Sequence, residues 1–246
     1  MKLAILSDTH ANLEALRACL AHAQQQGAQR HAFLGDLVGY GADPHAVLDI
    51  VSAHAARGAI VVRGNHDDAA LGGLCADMNF VAREAAIWTR QRLTTAERDF
   101  LAALPYAVEQ ENRLFVHASA DVPTAWEYVV STAAATRSLA ATGAGIVFVG
   151  HVHHAMLYFS TREGCAAFVP QPGAPITLSP GRRWLAIAGA VGQPRDGNPA
   201  AAYLMLDVAQ NLLTHFRVPY DWTRAAAKIR AAGLPESLAR RLETGT

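Results

Sequence analysis

Leu3-Ala4-Ile5-Leu6-Ser7-Asp8-Thr9-His10 opens the chain with an apolar run that breaks into residues able to ligate a metal. The same change of character recurs four times. Ala32 to Leu34 runs into Gly35-Asp36, and Ile60 to Val62 runs, after Arg63, into Gly64-Asn65-His66-Asp67. Leu114 to Val116 runs into His117, and Ile146 to Val149 into Gly150-His151-Val152-His153. In an open α/β sheet, ligands gather outside the carboxyl ends of the strands. Two Asp, one Asn and four or five His delivered to that edge supply enough oxygen and nitrogen for two divalent metals. Two metals about 3.5–4 Å apart are the usual apparatus of phosphoester hydrolysis.

The segments between these runs set the fold. Asn12 precedes a helix with apolar residues at Leu13, Leu16, Cys19 and Leu20, the spacing of one helical face. Asp43-Pro44 opens the next, with Asp as N-cap and Pro at the first helical position, and Gly58 stops it. Strand, helix, strand, helix, strand in succession implies parallel pairing through right-handed crossovers. Residues 68–104 break the rhythm and read as a helical insert: Phe80, Ala85, Ile87 and Trp88 belong to one helix, and Thr95 begins another that ends at Leu104-Pro105. Two strands flank a turn at Glu111-Asn112, and a helix covers about 131–141. After His153, short runs at 156–159, 165–169, 184–188, 201–207 and 212–218, separated by Gly, Pro and Asn, read as antiparallel sheet. The Ala- and Arg-rich tail from Asp221 to Arg241 reads as helix. The simplest architecture is α/β: one domain spanning 1–246, with two packed sheets and helices outside.

Composition limits the function. Of 246 residues, 51% are hydrophobic and 17% charged, so the chain can bury a sizeable core. No apolar stretch reaches the length of about 18 residues that a membrane span needs, and a cleavable signal peptide would remove Asp8 and His10. A cytoplasmic protein with no membrane partner is expected. Lys plus Arg and Asp plus Glu balance at 21 each, which argues against long nucleic acids as partners. Cys19, Cys75 and Cys165 form no CxxC and read as reduced, buried small hydrophobes.

Hydrolysing a phosphoester at neutral pH requires a hydroxide, neutralisation of the non-bridging oxygens and help for the leaving group; bound metal lowers the pKa of water, and two metals can hold it between them. A carboxylate must bridge the two, and Asp36 behind the small Gly35 is the candidate. Asp8 and His10, and again His151 and His153, stand two residues apart, so on an extended segment each pair points to one side. Asn65 offers a neutral carbonyl oxygen, which limits the negative charge facing an anionic substrate.

The order Asp8-x-His10, Gly35-Asp36, Gly64-Asn65-His66-Asp67, His117, Gly150-His151-x-His153 resembles the calcineurin-like metallophosphoesterase superfamily. The runs Gly35 to Gly41 and Val191 to Gly197 are similar to a small bacterial and archaeal branch of predicted phosphoesterases, some labelled diadenosine tetraphosphatase-like. The resemblance implies a four-layer α/β/β/α sandwich of two mixed β-sheets between helices. It implies one ion, such as Mn, Fe, Zn, Ni or Co, on Asp8, His10, Asp36 and His153. A second, divalent or of mixed valence with the first, falls on Asp36, Asn65, His117 and His151. It places His66 over the phosphate as the acid for the leaving oxygen, with Asp67 hydrogen-bonded to it as its orienting partner. Two positions depart from the family: Ala11 stands where Gly is frequent, and Ile187 to Ala190 where relatives read Asn-Pro-Gly-Ser. Neither falls on a ligand.

The implied function is a dinuclear metal-dependent phosphoesterase acting on small phosphodiesters or phosphomonoesters, nucleotides among them. The alternatives are a non-catalytic interaction protein on the same fold, disfavoured by the complete ligand set, and a nuclease, disfavoured by the neutral charge. Substrate contacts are expected from Asn65, His66 and Arg195. Arg195 stands in a turn-rich loop, either as a phosphate clamp or as a solvated partner of Asp196. Tyr40 either packs on the core or lines the cleft. Asn12 is expected to cap its helix. Trp88 and Trp126 are expected to pack rather than to stack on bases. His22, His31, His45, His54 and His215 lack motif context, and His154 is expected on the strand face opposite His153.

Overall fold

The computed structural model describes residues 1–73 and 78–246. Strands β1 (Lys2–Leu6), β2 (Arg30–Phe33) and β3 (Ile60–Val61) alternate with helices α1 (Leu13–Gln25) and α2 (Pro44–Ala55), and β1–β2 and β2–β3 pair in parallel. Helices α3 (Asn65–Leu71), α4 (Phe80–Arg92) and α5 (Thr95–Ala103) follow. β4 (Ala107–Gln110) and β5 (Arg113–Val116) form a hairpin whose turn places Glu111 at φ 56°. Helix α6 (Thr132–Ala140) leads to β6 (Ile146–Val149), which runs parallel to β5. The later strands are β7 (Met156–Thr161), β8 (Gly164–Phe168), β9 (Pro175–Thr177), β10 (Trp184–Ile187), β11 (Ala201–Asp207) and β12 (Leu212–Val218). The chain ends in α7 (Trp222–Ala231) and α8 (Glu236–Thr244).

One sheet has the order β3-β2-β1-β11-β12-β9, the other β4-β5-β6-β10-β7-β8. Both are mixed. The runs after His153 pair antiparallel as expected except at β10, which lies parallel to β6 on one side and antiparallel to β7 on the other. The three-residue β9 on a sheet edge is too short to leave a pattern in the sequence.

Side chains alternate across each strand. Leu3 and Ile5 of β1 face the opposite sheet and pack with Phe115, Phe148, Ala186 and Leu204, while Ala4 and Leu6 face helices and pack with Leu16, Cys19 and Val47. Val116, Val147 and Leu185 on the outer face of the second sheet meet Ala135 and Leu139 of α6. These three interfaces make four layers, helix–sheet–sheet–helix. A further cluster joins α7 and α8 to Ala82 and Ala85 of α4 and to Tyr40. Gly233 at φ 71°, followed shortly by Pro235, divides the tail into its two helices.

The helix starts differ in how they are capped. The Asn12 side chain accepts the Ala15 N–H at 3.1 Å, as its position suggests. Asp43 occupies the N-cap of α2, but its carboxylate makes no cap bond; it is drawn 2.7 Å from the Lys228 ammonium on α7, a stronger partner than a neutral N–H. The region read as a helical insert is built from the end of α3, α4 and α5; its residues 74–77, Cys75 among them, lie outside the described residues. Cys19 is buried and Cys165 half-buried, both as free thiols.

Candidate metal centre and active site

The carboxyl ends of β1, β2, β5 and β6, with the loop after β3, converge on one point. Ligand atoms of Asp8, His10, Asp36 and His153 lie within 4.8 Å of one another, and so do those of Asp36, His117 and His151. Asp36 belongs to both groups. Asn65 joins the second, its Oδ1 lying 3.1 Å from His117 Nε2. All the expected ligands are therefore gathered, and all six acidic and histidine members are buried.

They are not gathered by strand pleating. β1 stops at Leu6 and β6 at Val149, and Asp8, His10, Asp36, His151 and His153 have φ of 53°, 48°, 50°, 64° and 63°. The reading of Asp8–His10 and His151–His153 as extended pairs is corrected: each member sits in the left-handed region, which non-glycine residues seldom occupy. Neighbouring backbone over-determines the turn. Asp8 N donates to Gly35 O, His10 N to Asp36 O and Ala11 N to Leu37 O, at 2.9–3.1 Å. The motif glycines permit the close approach. A Cβ on Gly64 would overlap the Asp36 carboxylate, and one on Gly150 would overlap Ser7 Oγ and meet Asp8 Oδ2 at 2.8 Å.

Hydrogen bonding fixes which imidazole atom faces inward. Nδ1 of His10, His117 and His153 lies 3.2, 2.7 and 2.6 Å from the carbonyls of Val38, Leu34 and Gln193. A carbonyl can only accept, so each Nδ1 carries a proton and each Nε2 faces the cluster, the second-layer arrangement typical of metal-bound histidine. Nε2 of His10 and Nε2 of His153 are then 3.1 Å apart, and His153 Nε2 is 3.2 Å from Asp8 Oδ1. His117 Nε2 is 3.5 Å from Asp36 Oδ2 and 3.2 Å from His151 Nδ1. Asp36 Oδ2 is buried without a hydrogen-bond partner among the described residues. Lone pairs crowded this closely out of water need a cation or protons among them. The donor set, all oxygen and nitrogen, fits divalent transition metals.

The electrostatics agree. Burial works against charge on Asp8 and Asp36, yet His153 beside Asp8 and His117 beside Asp36 hold both carboxyls below the usual range. Burial pushes His10 down and takes His151 to about 3, leaving neutral rings able to ligate. Burial also opposes charge on His117, but Asp36 overrides it and lifts the ring to about 9, so a proton and a metal compete for that nitrogen.

His66 lines a cleft of about 520 Å³ above the cluster. Its imidazole is 4.9 Å from the His10 ring and 4.3 Å from the Tyr40 ring, and burial takes it down to about 4. Asp67 does not orient it. The Asp67 carboxylate accepts N–H groups from Leu37 (2.9 Å), Val38 (3.2 Å) and Gly64 (3.0 Å), while His66 Nδ1 has no hydrogen-bond partner among the described residues. The expected His66–Asp67 bond is thus corrected: both residues open the short helix α3, whose geometry turns Asp67 back to its own N-terminus. Burial and the nearby Asp36 charge raise Asp67 to about 7.

Tyr40 fills both of its expected places, packing in the α7–α8 cluster and approaching His10 at 4.6 Å between ring centroids. Arg195 donates to Gln193 Oε1 at 3.0 Å and Tyr40 OH at 3.4 Å. Its Nε is unpartnered. Asp196 is taken by Arg217 through bonds of 2.7 and 2.9 Å, which removes the reading of Arg195 as its partner. Three contributors are invisible in the motif pattern. Gln193 supplies the carbonyl that holds His153, Tyr128 stacks on His151 at 4.0 Å, and Trp126 meets His117 edge-on at 5.8 Å. Trp126, expected only to pack, lines the cleft; the alternation Trp126-x-Tyr128 shortly after His117 was the available signal. Trp88 packs as expected, donating to Ala232 O. His22 bonds Tyr203, His45 pairs with Glu97, His31 meets His54 edge-on, and His154 is exposed.

Comparison with known proteins agrees with this geometry. An uncharacterized protein of Methanocaldococcus jannaschii is 33% identical over 248 residues, across 99% of this chain and 98% of its own. The crystal structure of a metallophosphoesterase from Sphaerobacter thermophilus matches 100% of this chain and 99% of its own with a TM-score of 0.89 and 36% identity. A protein of Pyrococcus horikoshii OT3 shares the fold, with a TM-score of 0.79 at 17% identity over 100% of this chain and 98% of its own. Residues 1–211 match the model of the calcineurin-like phosphoesterase superfamily domain, and the chain belongs to that superfamily.

Proposed function

We propose that the protein is a dinuclear metal-dependent phosphoesterase that hydrolyses small phosphodiesters or phosphomonoesters in the cytoplasm. The observation that carries this reading is the convergence of two ligand groups on the shared carboxylate of Asp36, beside a cleft lined by Asn65, His66 and His151. In it, Asp8, His10, Asp36 and His153 hold one ion, and Asp36, Asn65, His117 and His151 the other. Two bound ions would supply charge for the phosphoryl oxygens and lower the pKa of water.

The remaining work falls to the chain. The Val38, Leu34 and Gln193 carbonyls each hold an imidazole Nδ1–H and so aim the three Nε2 atoms inward. Asn65 contributes a neutral oxygen, so the substrate anion meets less negative charge. His66 stands at the cleft floor, where an N–H can go to the leaving oxygen; the arriving phosphate opposes the effect of burial and favours the protonated ring. Arg195 offers its guanidinium to oxygens on the far side. The cleft volume suits a small ester, and the balanced charge supports small molecules over long nucleic acids.

Elemental analysis of metal-saturated protein is expected to give two ions per chain, and Asp36→Asn to lose both that stoichiometry and nearly all turnover. Activity is assayed on mono-, di- and cyclic nucleotide esters, and on bis-p-nitrophenyl phosphate, with Mn, Ni, Mg and Zn in turn. One ion or none per chain, with no ester turned over in any metal, would sink the proposal.

A further inference from the structure

One wall of the cleft is aromatic, and the proposed hydrolysis uses it only for its packing against His117 and His151. Trp126 and Tyr128 stand on the connection between β5 and α6, two residues apart. Trp126 is held at φ 56°, its ring edge-on to His117 and to Tyr106, each at 5.8 Å. Tyr128 lies nearly parallel to His151, 17° between planes and 4.0 Å between centroids. That stack covers one face of Tyr128, yet the residue remains 51% exposed. The exposure therefore falls on its other face and rim. An exposed aromatic face on the wall of a functional cleft is a fitting contact for a ligand ring.

The position of the platform matters as much as its exposure. His151 belongs at once to the ligand cluster and to the Tyr128 stack, so a ring laid on the free face of Tyr128 is next to the place where a phosphoryl group would sit. The same cleft presents Asn65, Asn79 and Thr124, whose side chains can meet nitrogen and oxygen atoms on the edge of a ring.

We propose that the Trp126–Tyr128 wall recognises a nucleobase, so that the preferred substrates are nucleotide esters rather than phosphoesters of aliphatic alcohols. This rests on the phosphoesterase reading and narrows it. The ring stacks on Tyr128, Trp126 borders it, and the polar groups around the cleft meet the base edge. Tyr128 and Trp126 are specificity residues here and take no part in bond breaking.

The test compares two ligands that differ only by the base. Adenosine 5′-monophosphate and ribose 5-phosphate are titrated calorimetrically into the Mn-saturated full-length protein, and into Tyr128→Leu, Tyr128→Phe and Trp126→Leu. Stacking of one base is worth about tenfold in affinity. The wild type is expected to favour the nucleotide by about that factor, Tyr128→Phe to keep the preference, Tyr128→Leu to abolish it and Trp126→Leu to reduce it. Tyr128→Phe, which keeps the ring against His151, is expected to leave ribose 5-phosphate binding and the Mn content unchanged. Equal binding of the two ligands by a wild type that still hydrolyses phosphoesters overturns the base-recognition proposal alone. So does a Tyr128→Leu protein that loses Mn and weakens both ligands together, since Tyr128 would then only support His151. A wild type that binds neither ligand and hydrolyses no ester overturns the phosphoesterase reading and this proposal with it.

Discussion

Replacing Asp67 by Asn separates two roles for that residue. The sequence pattern suggests a partner for His66; the structure shows a clamp, with one carboxylate oxygen taking Leu37 N and Val38 N and the other taking Gly64 N. Those three N–H groups belong to the loops that carry Asp36 and His66. An Asn can keep its oxygen toward Leu37 and Val38, but then turns an NH₂ against the Gly64 N–H and leaves that buried donor unpaired. Losing one bond to a charged acceptor costs about 1.5–3 kcal/mol. Relief of repulsion between Asp67 and Asp36, which helps to raise Asp67 to about 7, offsets part of this. A net loss of about 2 kcal/mol is expected, which lowers the melting temperature by roughly 4–8 °C for a chain of this size. Asp67→Ala strands all three donors and should lose about twice as much. Thermal denaturation in chelator measures the loss, and a Mn titration should show weakened affinity, because the loop carrying Asp36 has been released. An Asp67→Asn protein that melts within a degree of wild type, binds Mn normally and loses only turnover would refute the clamp and restore the role of orienting His66.

Removing a general acid costs about 10²–10⁴ in rate, so His66→Ala should lose turnover in that range with both metals retained, and the loss should shrink for nitrophenyl esters; loss of metal instead would make His66 a ligand. Arg195→Lys should lower kcat/KM by about tenfold, since a bidentate contact to phosphate would be lost, whereas unchanged kinetics in both Arg195→Lys and Arg195→Ala would end the clamp reading. Glu97 is held below the usual glutamate range: burial opposes its charge, but bonds from Thr94 and His45 prevail. A depressed carboxyl contributes stability above its unfolded value and loses it as pH falls through the folded one. Glu97→Ala should therefore be less stable than wild type by about 1 kcal/mol near neutrality, and chemical denaturation should show the gap closing below about pH 4; a gap that persists in acid would count against the assignment.

Much of the fold was legible because the relevant signals are local. β1 alternates between two buried faces, so Leu3 and Ile5 meet the other sheet while Ala4 and Leu6 meet α1, and every residue of the strand from Leu3 onward is apolar. The hairpin at Glu111-Asn112 and the strands at 201–207 and 212–218 are bounded by their own turn residues. What escaped depends on partners distant in sequence. Asp43 stands where a cap belongs, but Lys228, 185 residues away, takes its carboxylate. Asp67 follows the expected motif, yet its bonding is settled by where the loop after β2 passes. β10 lies among antiparallel neighbours in sequence and pairs parallel to β6, a matter of topology that its four residues cannot encode.

The site shows the same division more sharply. The ligand types and their order along the chain are local information, so they could be read directly. Their convergence is not produced by strand periodicity, since five of the candidate ligands sit at positive φ on loops beyond the strand ends. Each such residue costs of order 1–3 kcal/mol and persists only where its surroundings over-determine it. Here the surroundings are backbone: the loop at 8–11 is bonded to the loop at 35–37, and Val191 N and Gly192 N donate to Ser7 O and Asp8 O. The segment around 187–195, which departs from the family pattern upstream of Val191, therefore bears on the candidate metal centre although it contributes no candidate ligand. Its Gln193 carbonyl sets the tautomer of His153, and its Arg195 reaches Tyr40, itself anchored by the tail helices. A carbonyl is the same in every residue, so no side-chain motif can announce that role. It becomes visible only when the backbone path is known, which is why the candidate ligands have a sequence signature and the groups that aim them have none.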